Sequence, residues 1–220
     1  MNTRTSLFAL MFALLGSTAL VQPAKAAQAG QPAQAAAHTA ASASAVETRM
    51  AMRKLWEEHI TYTRNYIISA LAGLPDGDAV AKRLLQNQDD IGDAIKPYYG
   101  GAAGEKLSAL LRDHITIATE VVTAAKVGNK AQLDAAQKKW SANGKDIAVF
   151  LSGANPHWAQ KDLEAMLQKH LDLTTGEVVG RLNKDWIADI EAYDEGHEHM
   201  LMFADALTDG IAKQFPDAFK

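Results

Sequence analysis

Three histidines recur along the chain in similar surroundings. They stand in WEEHITYTRNYIISAL from Trp56, LRDHITIATEVVTAAK from Leu111 and LQKHLDLTTGEVVGRL from Leu167. His59, His114 and His170 align, 55 and 56 residues apart, and are followed by Ile60, Ile115 and Leu171. Each lies on an apolar stripe with steps of three and four residues. The stripes are Leu55, His59, Thr63, Tyr66 in the first segment and Leu107, Leu111, His114, Val121 in the second. In the third the stripe is Leu163, Leu167, His170, Leu173. An imidazole on a core stripe is desolvated and must find partners for one donor and one acceptor. Neutral imidazole is also the commonest metal ligand. Glu58 and Asp113 precede two of the histidines, but adjacent helical residues point about 100° apart. These acids are therefore placed to serve a neighbouring helix. Thr63 and Thr174, four positions after their histidines, share the same face.

A second cluster is Tyr193-Asp194-Glu195-Gly196-His197-Glu198-His199. Asp194 and His197 are three apart, as in the Glu-x-x-His of carboxylate-bridged metal bundles. His199 lies about 200° from His197 around a helix. It falls 56 residues after Asn143, which falls 56 after Asn87. The expected site is therefore metal-binding and drawn from His59, His114, His170, Asp194, His197 and His199. Zinc fits three or four N/O ligands at about 2.0–2.2 Å. Copper accepts histidine and, when reduced, methionine such as Met200 or Met202. A small ligand held by the same histidines is the companion expectation. One rival is a non-catalytic envelope interaction or stress protein whose histidines are structural. Another is an enzyme, a hydrolase for example, working through a histidine and nearby acids. There is no glycine-rich phosphate loop after a strand, no HExxH and no nucleophile elbow. Trp56, Trp140, Trp158 and Trp186 read as packing residues between helices.

From Val46 onward the apolar period is helical, and no window alternates with period two. Pro75, Pro97, Pro156 and Pro216 fall between helical patterns or after the last. Asn129, beside Gly128, and Asn183 mark two more turns. This predicts an all-α chain with six helices, over about 46–73, 77–96, 103–127, 130–152, 159–182 and 185–214. The 55-residue recurrence groups them as three tandem helical hairpins, about 50–105, 106–160 and 161–220. Short connections imply antiparallel neighbours. A compact up-down bundle is expected rather than an open solenoid, because the chain is compact and has no obvious capping repeat; three imidazoles can meet only if their helices surround one axis.

The chain has 220 residues, 22 Lys+Arg, 26 Asp+Glu and no cysteine. Disulfides, thiolate metal sites and cysteine nucleophiles are excluded. Met1–Ala26 has the form of a signal peptide: Arg4, the apolar run Leu7–Val21, then Ala24-Lys25-Ala26 as a cleavage signal. Its removal takes away Arg4 and Lys25 and no acid, moving the formal charge from −4 to −6. An acidic chain is a poor binder of nucleic acid or anionic membrane. No segment after the leader is long and apolar enough to span a bilayer. Residues 27–45, rich in Ala, Gln and Ser and containing His38, read as a flexible linker before a single helical domain over 46–220. The expected location is a bacterial periplasm or the medium outside the cell.

The blocks RLLQNQDDIGDAIKPYYGG, HLDLTTGEVVGRL and DWIADIEAYDEGHEHMLMFADALTDGIAKQFP resemble a family of small secreted all-helical bacterial proteins without an established activity. Members of that family sometimes carry enzyme labels such as glycosyltransferase. The likeness covers about residues 53–219. It implies the same segment boundaries and transfers no catalytic residue. No nucleotide-sugar site is visible, and an all-helical chain lacks the usual α/β scaffold for one.

Overall fold

The computed structural model describes residues 32–219. The leader and the start of the linker lie outside the described residues. Six helices follow one another: α1 Pro32–Ala72, α2 Gly77–Tyr99, α3 Gly101–Lys126, α4 Lys130–Ala154, α5 Gln160–Leu182 and α6 Trp186–Gln214. A short 3-10 turn, Pro216–Phe219, closes the described chain. No strand occurs among the described residues.

Two boundaries differ from the sequence expectation. The linker stretch from Pro32 onward is continuous with α1, so that helix begins 14 residues earlier than 46. Alanine is the best helix former, and proline is well tolerated in the first turn. The second difference is Pro97, which lies inside α2 rather than after it. It sits in the last turn, where only one intrahelical bond is lost. The helix stops three residues later at Gly100, whose φ of 84° no other residue adopts easily.

The remaining punctuation is local chemistry. The Asn129 side chain caps α4 by accepting from the Gln132 N–H, and Asp185 caps α6 by accepting from the Ala188 N–H. Both satisfy donors that a helix start leaves free.

Each helix packs on its neighbours in the chain, and α1 also packs on α6, so the six form a closed ring. Inside that ring α1, α3 and α5 touch one another. The main core includes Met52, Trp56, Ile91, Leu107, Ile147 and Phe203. Trp56 meets Phe203 edge-on, ring centres 5.0 Å apart, and joins α1 to α6. Trp186 departs from its expected packing role. It is 52% exposed, with the Arg181 guanidinium over its ring.

Candidate functional site: three buried imidazoles

The three stripe histidines come together. His59 from α1, His114 from α3 and His170 from α5 are all buried. Their ring centres lie 5.5 Å (His59–His170), 5.9 Å (His114–His170) and 6.4 Å (His59–His114) apart. The inner helices meet at this level, so residues more than a hundred positions apart share one chamber. The chamber holds a cavity of about 20 Å³ lined by the three histidines, four threonines, Tyr66, Trp140 and apolar side chains. That volume admits about one water molecule. No carboxylate lines it.

The three rings have different partners. His114 is fully bonded: Nδ1 donates to Asn143 Oδ1 at 2.8 Å, and Nε2 accepts from Trp140 Nε1 at 3.1 Å. These bonds set its tautomer, with the proton on Nδ1. In contrast, His59 Nδ1 and His170 Nδ1 are buried without a hydrogen-bond partner.

The helices that follow explain the difference. Asn143 Nδ2 donates to Leu110 O, four residues before His114, which leaves Oδ1 for the ring. Asn87 Nδ2 donates to Leu55 O, four residues before His59, in the same way. Its Oδ1, however, accepts from Gln88 Nε2 instead. At the third place stands His199, whose Nε2 donates to Met166 O, four residues before His170. An imidazole donating there offers no carbonyl oxygen, so His170 has no counterpart to Asn143 Oδ1. The Trp140 position is likewise occupied by Leu84 and Gly196 at intervals of 56, and neither has a side-chain N–H.

Burial holds all three rings neutral. It depresses His59 to about 3, helped by the nearby His114 ring and opposed by Gln88. His114 falls to about 4 through burial, with its Asn143 bond acting the other way. His170 lies well below its ordinary value, through burial and then through His59, His114 and His199. Desolvation disfavours the charged imidazolium. A neutral ring has a free lone pair at physiological pH.

The second predicted cluster does not join the chamber. Asp194 is exposed. His197 is a partly exposed residue of the outer face, 3.3 Å from Glu57 Oε1 and beside the Tyr193 ring. By spacing alone His197 shares an apolar three-and-four line with Ile190, Tyr193, Leu201, Ala204 and Ile211. Only Ala204 and Ile211 of that line are among the buried residues of α6, which include Asp189, Gly196, Met200, Phe203 and Leu207. The reason is Asp189, which is drawn inward by two arginines and turns Ile190 out. Arg64 donates to both of its oxygens, at 3.0 and 3.1 Å, and Arg181 adds a third bond at 2.8 Å. Glu177 also accepts from Arg64. Burial raises Glu177 to about 7 despite the Arg64 charge beside it. Among the described residues no group of three His, Asp or Glu side chains is arranged to hold a metal ion as it stands.

Trp140 and the Asn87/Asn143 pair belong to the site, and sequence reasoning gave none of them that role. The available signal was the 56-residue register, which places both asparagines opposite the histidine stripe. Comparison with family models, curated proteins and solved structures yields no match to this chain.

Proposed function

We propose that this protein is an exported, three-hairpin, up-down helical bundle that binds one transition-metal ion among His59, His114 and His170. One observation carries the proposal: two buried imidazoles with unpartnered nitrogens share a chamber with room for a single small occupant. An orphaned buried polar atom costs about 1–3 kcal/mol. An occupant that both rings can bind accounts for two such atoms together. At about 20 Å³ the cavity is too small for an organic ligand, which favours an ion.

Ring spacing supports this. A metal–nitrogen bond of about 2.0–2.1 Å puts the ring centre about 3.2 Å from the ion, so two rings at 120° stand about 5.5 Å apart. The observed 5.5, 5.9 and 6.4 Å are at that value or within about 1 Å of it. The three-hairpin reading draws on the carbonyls of Leu55, Leu110 and Met166, each accepting from Asn87, Asn143 or His199 in register. Export rests on the form of Met1–Ala26 and places the protein in a bacterial periplasm or outside the cell.

Elemental analysis of the untagged protein, purified natively from the periplasm, tests the reading. One equivalent of metal is expected, lost in His59→Ala and His170→Ala and kept in His197→Ala and Asp194→Ala. A metal-free protein that also takes up no added metal refutes it.

A second reading has its own support. Both His114 nitrogens are already bonded. On that reading the histidines are core hydrogen-bonding groups of an envelope interaction or stress protein.

A further inference from the structure

The chamber offers no charge to offset that of a bound ion. It contains no carboxylate, and the lining beyond the histidines consists of apolar side chains, threonines, Tyr66 and Trp140. Nearby acids are committed elsewhere or point to solvent: Glu58 pairs with Arg83 at 2.8 Å and Glu177 with Arg64 at 3.0 Å, while Asp113 and Asp172, next to His114 and near His170 in sequence, are exposed. No anionic ligand is at hand to neutralise an ion. The penalty for moving an ion into a low-dielectric site grows with the square of its charge, so a divalent ion meets about four times the penalty of a monovalent one.

Ligand number leads to the same conclusion. Of the three histidines, His59 and His170 each have an unpartnered buried nitrogen, while the His114 lone pair is held by the Trp140 N–H. Zinc takes three or four protein ligands and finds two. A soft monovalent d10 ion is satisfied by two nitrogens; with ring centres about 3.2 Å from the ion, these centres stand about 6.4 Å apart when linear and about 5.5 Å apart when bent to 120°. His59 and His170 stand 5.5 Å apart.

We infer that the chamber is a site for a monovalent soft cation, Cu(I), held between His59 and His170, and that Trp140 keeps His114 out of the ligand set and so disfavours Zn(II). This rests on the metal-binding reading above and narrows it to one class of ion. No electron transfer is involved, because the ion enters and leaves as Cu(I).

The test is a three-metal competition on the untagged protein. Cu(I) is supplied anaerobically from a chelator complex, Ag(I) in chloride-free buffer serves as an air-stable probe, and Zn(II) is the divalent arm. Cu(I) and Ag(I) should each bind one equivalent, raise the melting temperature and exceed Zn(II) in affinity by at least about a hundredfold. His170→Met, which replaces an imidazole with a thioether, should keep Ag(I) binding. His59→Leu should abolish it, and His197→Ala should leave it intact. Trp140→Phe releases the His114 lone pair and should raise Zn(II) affinity by about tenfold. Zinc bound as tightly as Ag(I) by the unaltered protein would overturn this inference and leave the metal site standing. Unchanged Zn(II) affinity in a folded Trp140→Phe variant would overturn the part given to the indole. Failure of all three ions to bind the folded protein would overturn the metal-binding reading itself. The unaltered protein decides the choice of ion and the metal-binding reading even if a variant does not fold.

Discussion

His114 keeps both ring nitrogens bonded because Asn143 presents a carbonyl oxygen and Trp140 an N–H. His59 and His170 lack that pair of neighbours. Removing Asn143 would therefore strip partners from two buried groups, the His114 ring and the Leu110 carbonyl. Asn143→Ala should lower unfolding stability by about 2–4 kcal/mol. Asn87→Ala, which gives up no histidine bond, should have a smaller effect; urea titrations of both variants measure the difference. The rings also set a pH dependence. Unfolded histidine takes up a proton near 6.5, whereas these rings resist protonation down to about 3 for His59 and about 4 for His114. Below pH 6.5 the unfolded state thus binds more protons, and stability falls as pH drops, by about 1.4 kcal/mol per pH unit for each ring. Above 6.5 the rings add no slope. Glu177 acts in the opposite direction. Its folded value of about 7 exceeds the ordinary 4.5, so acidification through that window favours the fold by about one ring's worth. Two rings' worth remains, about 3 kcal/mol per pH unit. Against a typical stability of about 5–15 kcal/mol, unfolding should set in near pH 4–5. Circular dichroism across pH 8 to 3 would show it, and a denaturation midpoint unchanged from pH 7 to 5 would contradict it.

At the scale of elements, α2 and α3 approach most closely at Gly92 and Gly104. A Cβ on Gly92 would stand 2.5 Å from the Gly104 carbonyl oxygen, and one on Gly104 would stand 2.6 Å from the Gly92 carbonyl oxygen. Both neighbours are backbone, which cannot swing aside. Gly92→Ala should therefore push α2 off α3 and lower stability by about 2–4 kcal/mol, despite alanine's better helix propensity. Gly153→Ala meets nothing within 4 Å and is the control, expected to be neutral or slightly stabilising. Thermal denaturation of the two variants separates packing from propensity. The phase of α6 was also decided between elements. Asp189 is almost wholly buried because α1 and α5 bring Arg64 and Arg181 to it. Ile190 and Ile187 are left 50% and 71% exposed.

Across the whole molecule, the C-terminal turn packs on the end of α2. Phe219 is buried in the last short turn and stacks near-parallel on Tyr98, 5.9 Å centre to centre, while Phe215 packs against both Tyr98 and Tyr99. Tyr99 in turn donates to Gln214 and accepts from Asn155. Truncation after Gln214 removes two of these aromatic rings. It should lower stability by about 3–5 kcal/mol, as large-to-small core changes do. On the metal-binding proposal, the rise in melting temperature with bound ion should persist, because the chamber is built by α1, α3, α5 and Trp140. A truncated protein as stable as the full chain would show that the aromatic end cluster contributes little.

Local rules determine most of the architecture. Helical periodicity, proline and glycine positions and the Asn129 cap place six helices to within a few residues, except at the alanine-rich start of α1 and in the last turn of α2. Burial of His59, His114 and His170 was also legible, because a polar residue repeated on an apolar stripe has nowhere else to go. The partners of those rings were not. Whether an imidazole nitrogen is bonded depends on one side chain from another helix: Asn143 rather than His199, Trp140 rather than Leu84, an amide oxygen free or taken by Gln88. Such choices depend on tertiary distance, and stripe periodicity carries no information about them. The outer-face position of His197 has the same origin. Hydropathy put Ile190 inside, but two arginines from other helices brought Asp189 into the core in its place, and a charge pair across helices leaves no period in the sequence of either.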